Sequence, residues 1–103
     1  MSFFSSLFGG GAPTTIDGAA ARKLVAEGAL LLDVRTPGEF AGGHVPGAQN
    51  VPVETLPGGA ASLPKDKPVV VYCRSGARSA RAQGLLQQSG FVAVHDLGPI
   101  SAW

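Results

Sequence analysis

Val69-Val70-Val71-Tyr72-Cys73-Arg74-Ser75-Gly76-Ala77-Arg78-Ser79 is the stretch that decides the fold. Its first half is an unbroken apolar, β-branched run, the pattern of a strand buried on both faces. Its second half passes through Gly76 into a helical pattern, so strand becomes helix within a few residues. Cys73, the only cysteine of the chain, stands at that junction. Backbone N–H groups at a helix start carry partial positive charge, and Arg74 and Arg78 add cationic neighbours. Both effects favour thiolate over thiol, the form a nucleophilic cysteine needs. A buried, inert thiol is the competing reading, and an arginine-flanked loop argues against it.

On either side of this stretch, strand and helix patterns alternate. Thr14-Thr15-Ile16 reads as a short strand, and Asp17 as the N-cap of a helix from Gly18 to Glu27 with Ala21, Leu24 and Val25 on its apolar stripe. Gly28 ends it, and Ala29–Val34 follows as a central strand. Thr36-Pro37-Gly38-Glu39 is a capping box with proline at N1 and predicts a short helix through Phe40 to Ala41. Gly42–Gly47 is a turn-rich connection, Gln49–Pro52 a short strand, and Val53–Leu63 a run of broken helical turns. After Cys73 the pattern predicts a helix over Ala77–Ser89 with Ala82, Leu85, Leu86 and Ser89 inward and Gly90 ending it. A last strand over Val92–Asp96 and a helix beginning at Ile100 complete the chain. Such alternation predicts an α/β sandwich with a small, mostly parallel sheet flanked by helices on both faces. Ligands of such sheets bind beyond the carboxyl ends of the strands, where both Cys73 and Asp33 lie.

Length and composition set the bounds. The chain has 103 residues and a formal charge of +1, enough for one modest core and too balanced for a broad polyanion-binding surface. Arg74, Arg78 and Arg81 gather around Cys73, a pattern for a small anion rather than nucleic acid. A lone cysteine excludes an internal disulfide and a cysteine-rich metal site. No stretch is long enough to span a membrane. Residues 1–13 read as an apolar, glycine-rich leader, with Phe3, Phe4, Leu7 and Phe8 on one helical face before Gly9-Gly10-Gly11; 14–103 is the domain. The leader lacks the basic start and long apolar region of a secretory signal, so a cytoplasmic protein is expected. A loosely packed leader is favoured over a docking or membrane-touching one. A monomer is favoured by small size and the absence of a coiled-coil pattern.

Counting along the loop separates two chemistries. Tyrosine-class phosphatases use C-x5-R with the arginine six positions after the cysteine. In this chain Arg78 is five positions on, Ser79 occupies the sixth, and Tyr72 precedes the thiol. The shorter loop makes a tighter ring of N–H groups, suited to a sulfur atom rather than a phosphoryl group. The matching segments run in order: Leu32-Asp33-Val34-Arg35, Glu39-Phe40, Gly43-His44-Val45-Pro46-Gly47-Ala48 with Asn50-Val51-Pro52, Val70–Ser79, and Gly98 with Ala102-Trp103. On these segments the chain resembles a single-domain rhodanese, a rhodanese-like sulfurtransferase with a three-layer α/β sandwich. Pro99 departs from the family's usual second glycine, which leaves the closing helix open.

The resemblance implies a ping-pong sulfurtransferase. Cys73 would take the outer sulfur of thiosulfate or a similar small anionic donor, hold it as a persulfide, and pass it to cyanide or a cellular thiol. The alternative is a persulfide carrier or interaction module that receives sulfur from a partner protein and serves a protein acceptor. No metal or organic cofactor is implied. The amides of Arg74, Ser75, Gly76, Ala77, Arg78 and Ser79 are expected to converge on Cys73 as an anion-binding nest, with Gly76 supplying the curvature. Arg74 is the candidate for a sulfonate oxygen, against a plain solvated charge. Arg78 is expected to hold the loop closed by pairing with Asp33 or Glu39, while Arg81 adds positive field. Asp33 and Arg35 read as supporting residues, since a preformed thiolate needs no general base. His44 and His95 read as structural.

Overall fold

The computed structural model describes Thr15–Trp103. The leader, residues 1–13, and Thr14 lie outside the described residues. The core is a four-stranded parallel sheet in the order β2-β1-β3-β4, formed by β1 (Leu30–Asp33), β2 (Gln49–Asn50), β3 (Val69–Cys73) and β4 (Val94–Pro99). β3 is inner, paired with β1 from Leu30↔Val69 to Asp33↔Tyr72, and all five of its residues are buried. Its side chains alternate between two cores. Val69, Val71 and Cys73 join Leu32, Val34, Ala82, Leu86 and Phe91 on one face; Val70 and Tyr72 join Ala21, Leu31, Val45 and Leu97 on the other. Each buried valine or leucine contributes roughly 1.5–3 kcal/mol relative to exposure.

Helices close both faces. α1 (Gly18–Ala26) is capped by Asp17, whose carboxylate accepts from the Ala20 amide at 2.8 Å. It lays Ala21, Leu24 and Val25 over Val70 and Tyr72. Gly18 opens it because a Cβ there would overlap the carbonyl oxygen of Ala102, and Arg22 donates to the Trp103 carbonyl. α2 (Pro37–Ala41) is one short turn beyond the end of β1, with the Thr36–Glu39 capping box complete in both directions. α3 (Ala77–Gln88) covers the Cys73 face with Ala82 and Leu86, joined by 3₁₀ turns at Val53–Thr55 and Gly58–Ala60. Among the described residues no helix is long and apolar enough to cross a membrane.

Four local expectations are corrected. The opening strand is a single parallel bridge, Thr15↔Asp96, supported by the Ile16 amide on the Asp96 carbonyl at 3.0 Å. The last strand starts two residues later than expected, at Val94, and runs on to Pro99. Phe91 is drawn into the core and Val92 is left 70% exposed. At its far end the pairing skips Leu97, and Asp96 accepts from the Gly98 amide at 2.8 Å while Gly98 takes φ +87°. On α3 the buried set is Ser79, Ala82, Gln83 and Leu86 rather than one including Ser89. Gln83 is admitted because its amide donates to the Val94 carbonyl at 2.8 Å, which answers the cost of burying a polar group. The closing helix is one 3₁₀ turn, Ile100–Ala102.

Candidate active site

The site stands where β3 gives way to α3. Cys73 is the last residue of β3, with no exposed surface, and its sulfur accepts the Gly76 amide at 2.9 Å. Burial alone pushes its thiol up. Hydrogen bonding from the Ser79 side chain and from the amides of Ser79, Gly76 and Ser75 outweighs burial, so the net pKa lies below that of an ordinary thiol. Of the loop amides, then, those of Ser75, Gly76 and Ser79 carry the stabilisation. This is a buried thiol, as an inert one would be, but its surroundings are those of an anion.

Gly76 makes the geometry possible. It caps α3 at φ +106°, ψ −19°, a conformation other residues avoid. A Cβ placed there meets nothing closer than 3.9 Å, so the requirement is conformational and not steric. Gly76→Ala is therefore expected to cost about 1–2 kcal/mol and to turn the amide away from the sulfur. Alkylation of Cys73 followed against pH checks this, with the midpoint moving upward in the variant.

Two arginines hold the loop and its surroundings, each through its own carboxylate. Arg78 forms a two-pronged pair with Glu39, at 2.6 and 3.0 Å, rather than with Asp33. Glu39 also accepts from the Thr36 amide at 3.0 Å, so one carboxylate both caps α2 and fastens it to the start of α3. Arg78, with the Thr36 amide behind it, holds the Glu39 carboxyl at about 2. Arg35 turns back on Asp33 through its amide (3.0 Å), Nε (3.0 Å) and Nη2 (2.6 Å). The same Nη2 donates to the Gly43 carbonyl at 2.7 Å. Desolvation raises the Asp33 carboxyl, but these bonds and the Tyr72 hydroxyl leave it below the usual carboxylate range.

Tyr72 links the pieces in a way the sequence did not announce. It is fully buried, its ring lies under the Arg35 guanidinium (5.7 Å), and its hydroxyl accepts the Val45 amide at 3.1 Å while bonding Asp33. Burial, with the Asp33 carboxylate beside it, raises its pKa to about 12. Asn50 adds two bonds, to the carbonyls of Asp33 and Arg35 at 3.0 and 2.9 Å. An aromatic residue before the cysteine and an Asn on the neighbouring strand were the available signals. Neither says that the hydroxyl meets the Val45 amide.

The remaining candidates separate. Arg74, Ser75, Ala77 and Arg81 are exposed, and Arg74 and Arg81 make no ion pair among the described residues. His44 stacks on Phe40 (3.6 Å between centroids) and its Nδ1 donates to the Phe40 carbonyl at 2.8 Å; it makes no hydrogen bond to Cys73. His95 lies on β4, with its buried Nδ1 lacking a partner among the described residues.

A thiol at a strand end, beside amides that open a helix, stands on an α/β scaffold. The chain belongs to the rhodanese-like family: the profile described as Rhodanese-like domain matches residues 17–103. It is 47% identical over 78 residues to a sulfurtransferase of Allochromatium vinosum, covering 75% of this chain and 73% of that one. It is 36% identical over 106 residues to the chloroplastic thiosulfate sulfurtransferase 16 of Arabidopsis thaliana, covering 88% and 87%. Among solved structures it resembles the human single-domain sulfurtransferase, with TM-score 0.73 at 29% identity over 89% of this chain and 92% of that one.

Proposed function

We propose that the protein is a sulfurtransferase of the thiosulfate type that carries sulfur as a Cys73 persulfide. The observation that carries the reading is the Gly76 amide aimed at the Cys73 sulfur at 2.9 Å, in a loop whose amides and hydroxyl lower the thiol's pKa. In the first step the Cys73 thiolate attacks the outer sulfur of thiosulfate. The new S–S bond forms as the old one breaks, and its electron pair leaves with sulfite. The charge on the protein then sits on the outer sulfur of the persulfide, in the same field of N–H groups. In the second step cyanide or a thiolate attacks that outer sulfur, the S–S bond breaks, and the electron pair returns to Cys73. Thiocyanate or a new persulfide departs, and the cycle closes with no external oxidant.

The exposed Arg74 is the group that meets the donor. A guanidinium without a carboxylate partner is available to a sulfonate oxygen, whereas Arg78 is already committed to Glu39. Arg74→Ala is expected to raise KM for thiosulfate about tenfold, and to change transfer from an uncharged organic trisulfide by less than about twofold. Equal effects on both donors would assign the residue to loop structure instead. The proposed cellular acceptor is a small thiol in the cytoplasm. Mass spectrometry of the intact protein after incubation with thiosulfate tests the function: one added sulfur atom is the expected result. An unmodified protein with thiosulfate, but a sulfur atom gained from a persulfidated partner protein, would favour the carrier reading.

A further inference from the structure

At the end of the sheet away from Cys73 lies an open, mostly apolar groove of about 480 Å³, within the range of about 300–1,000 Å³ typical of binding sites. Pro57, Gly58 and Ala61 of a 3₁₀ turn form one wall, and Leu85 and Gln88 near the end of α3 form the other. Lys65 also lines it, but its ammonium is drawn over the Phe91 ring, 5.4 Å from the centroid. The carbonyls that end α3 add partial negative charge. The groove therefore suits an uncharged, apolar occupant rather than an anion. Val92 extends the apolar surface beside it: the side chain is 70% exposed, and its amide donates to the Lys65 carbonyl at 3.1 Å.

The chain itself supplies such an occupant. Residues 1–16 carry no charged side chain, and Phe3, Phe4, Leu7 and Phe8 bring large apolar groups close together. Thr15 is bridged in parallel to Asp96, so the chain enters the fold from the end at which β4 starts, which is also the end that holds the groove. Seven residue steps separate Phe8 from Thr15, about 23 Å at full extension, against a helix width of about 10–12 Å. A tether of that length reaches past α3. We propose that residues 3–8 of the leader cover this groove and seat their aromatic side chains between α3 and the 3₁₀ turn. So short a tether presents its segment at an effective concentration in the millimolar range, so a contact too weak to hold a free peptide suffices. Docking removes apolar surface from water on the leader and on the groove together. Cys73, at the opposite end of β3, is not touched, and sulfur transfer does not depend on the contact.

Nuclear Overhauser contacts in the intact chain test this directly: the rings of Phe3, Phe4 or Phe8 are expected against the methyl groups of Ala61 or Leu85. Chymotrypsin, which cuts after accessible phenylalanine, supplies a second readout. Cleavage after Phe8 is expected to be about tenfold faster in Ala61→Asp than in the unaltered protein, because a docked leader would bury an unpaired carboxylate. Gly58→Asp, at a position where a Cβ meets nothing within 4 Å, should do the same, so a folding fault in one variant does not decide the matter. Thiosulfate-dependent turnover should be unchanged in both. Absence of the ring-to-methyl contacts, or equal cleavage rates in all three proteins, would overturn the proposal. So would contacts found only between labelled and unlabelled chains, which would make the occupant a second copy. Protection gained only on adding phosphatidylcholine–phosphatidylglycerol vesicles would overturn it too, and would make the leader a membrane-touching segment.

Discussion

Cys73→Ser is expected to abolish sulfur transfer, by at least about 10⁴-fold in kcat/KM, while leaving the domain folded. The fold survives because serine differs from cysteine by one atom at a position with no exposed surface, and its oxygen can accept the Gly76 amide that now meets sulfur. The chemistry does not survive because the same amides that lower a thiol's pKa start from a hydroxyl far more basic, and a stable O–S linkage does not take the place of a persulfide. Thiocyanate formation from thiosulfate and cyanide measures the loss, and the thermal transition, expected within a few degrees of the unaltered protein, shows that folding is not its cause. Residual turnover within about tenfold of the original would move the nucleophile elsewhere.

The largest effect on stability is expected at Arg35. Arg35→Met keeps most of the side chain's volume but removes the guanidinium that surrounds the Asp33 carboxylate, which has no exposed surface. Leaving a buried charge without its partner costs about 3–5 kcal/mol, and the Gly43 carbonyl loses its donor as well. The pH dependence follows from the lowered pKa of Asp33. In the unaltered protein the pair's contribution is fully present above the unfolded carboxyl value of about 3.9 and is lost as pH falls through the lower folded value. In the variant the buried carboxyl has no cation to keep it charged, so acid relieves it and the gap between the two proteins narrows below about pH 5. Urea unfolding at pH 7 and pH 4.5 checks both statements. A variant as stable as the parent at pH 7 would mean that water or a rearranged donor replaces Arg35.

The central strand and the cysteine loop were legible because their signals are local and strong. Four consecutive apolar or aromatic residues before a thiol fit an inner strand, and Gly76 could be read as the bend from residue type alone. The capping box at Thr36 and Glu39 was equally plain. What sequence left open was which carboxylate Arg78 meets, since Asp33 and Glu39 are both close along the chain to the sheet's carboxyl end. The answer depends on Arg35 turning back on Asp33 two residues away and on Glu39 of α2 meeting the start of α3, the second a tertiary fact. β4 was misplaced because Val92-Ala93-Val94 has strand character throughout, and only the packing of Phe91 and the bulge at Leu97 fix its register. The thiol's pKa is lowered chiefly by hydrogen bonds from the Ser79 side chain and the loop amides, with Arg78 coupled to Cys73 through space. Ser79 was counted for its amide; nothing in the sequence reveals that its side chain is buried and donates to the Gly76 carbonyl.

The most direct test of Cys73 as a persulfide carrier is the sulfite released from thiosulfate when no acceptor is present. The account predicts one sulfite per protein molecule, released in a single burst and then stopping, with the sulfur retained on Cys73 and resumption when cyanide is added. Sulfite released only after acceptor and donor are both present would contradict it, because the transfer would then pass directly between them and no persulfide would be formed on the protein.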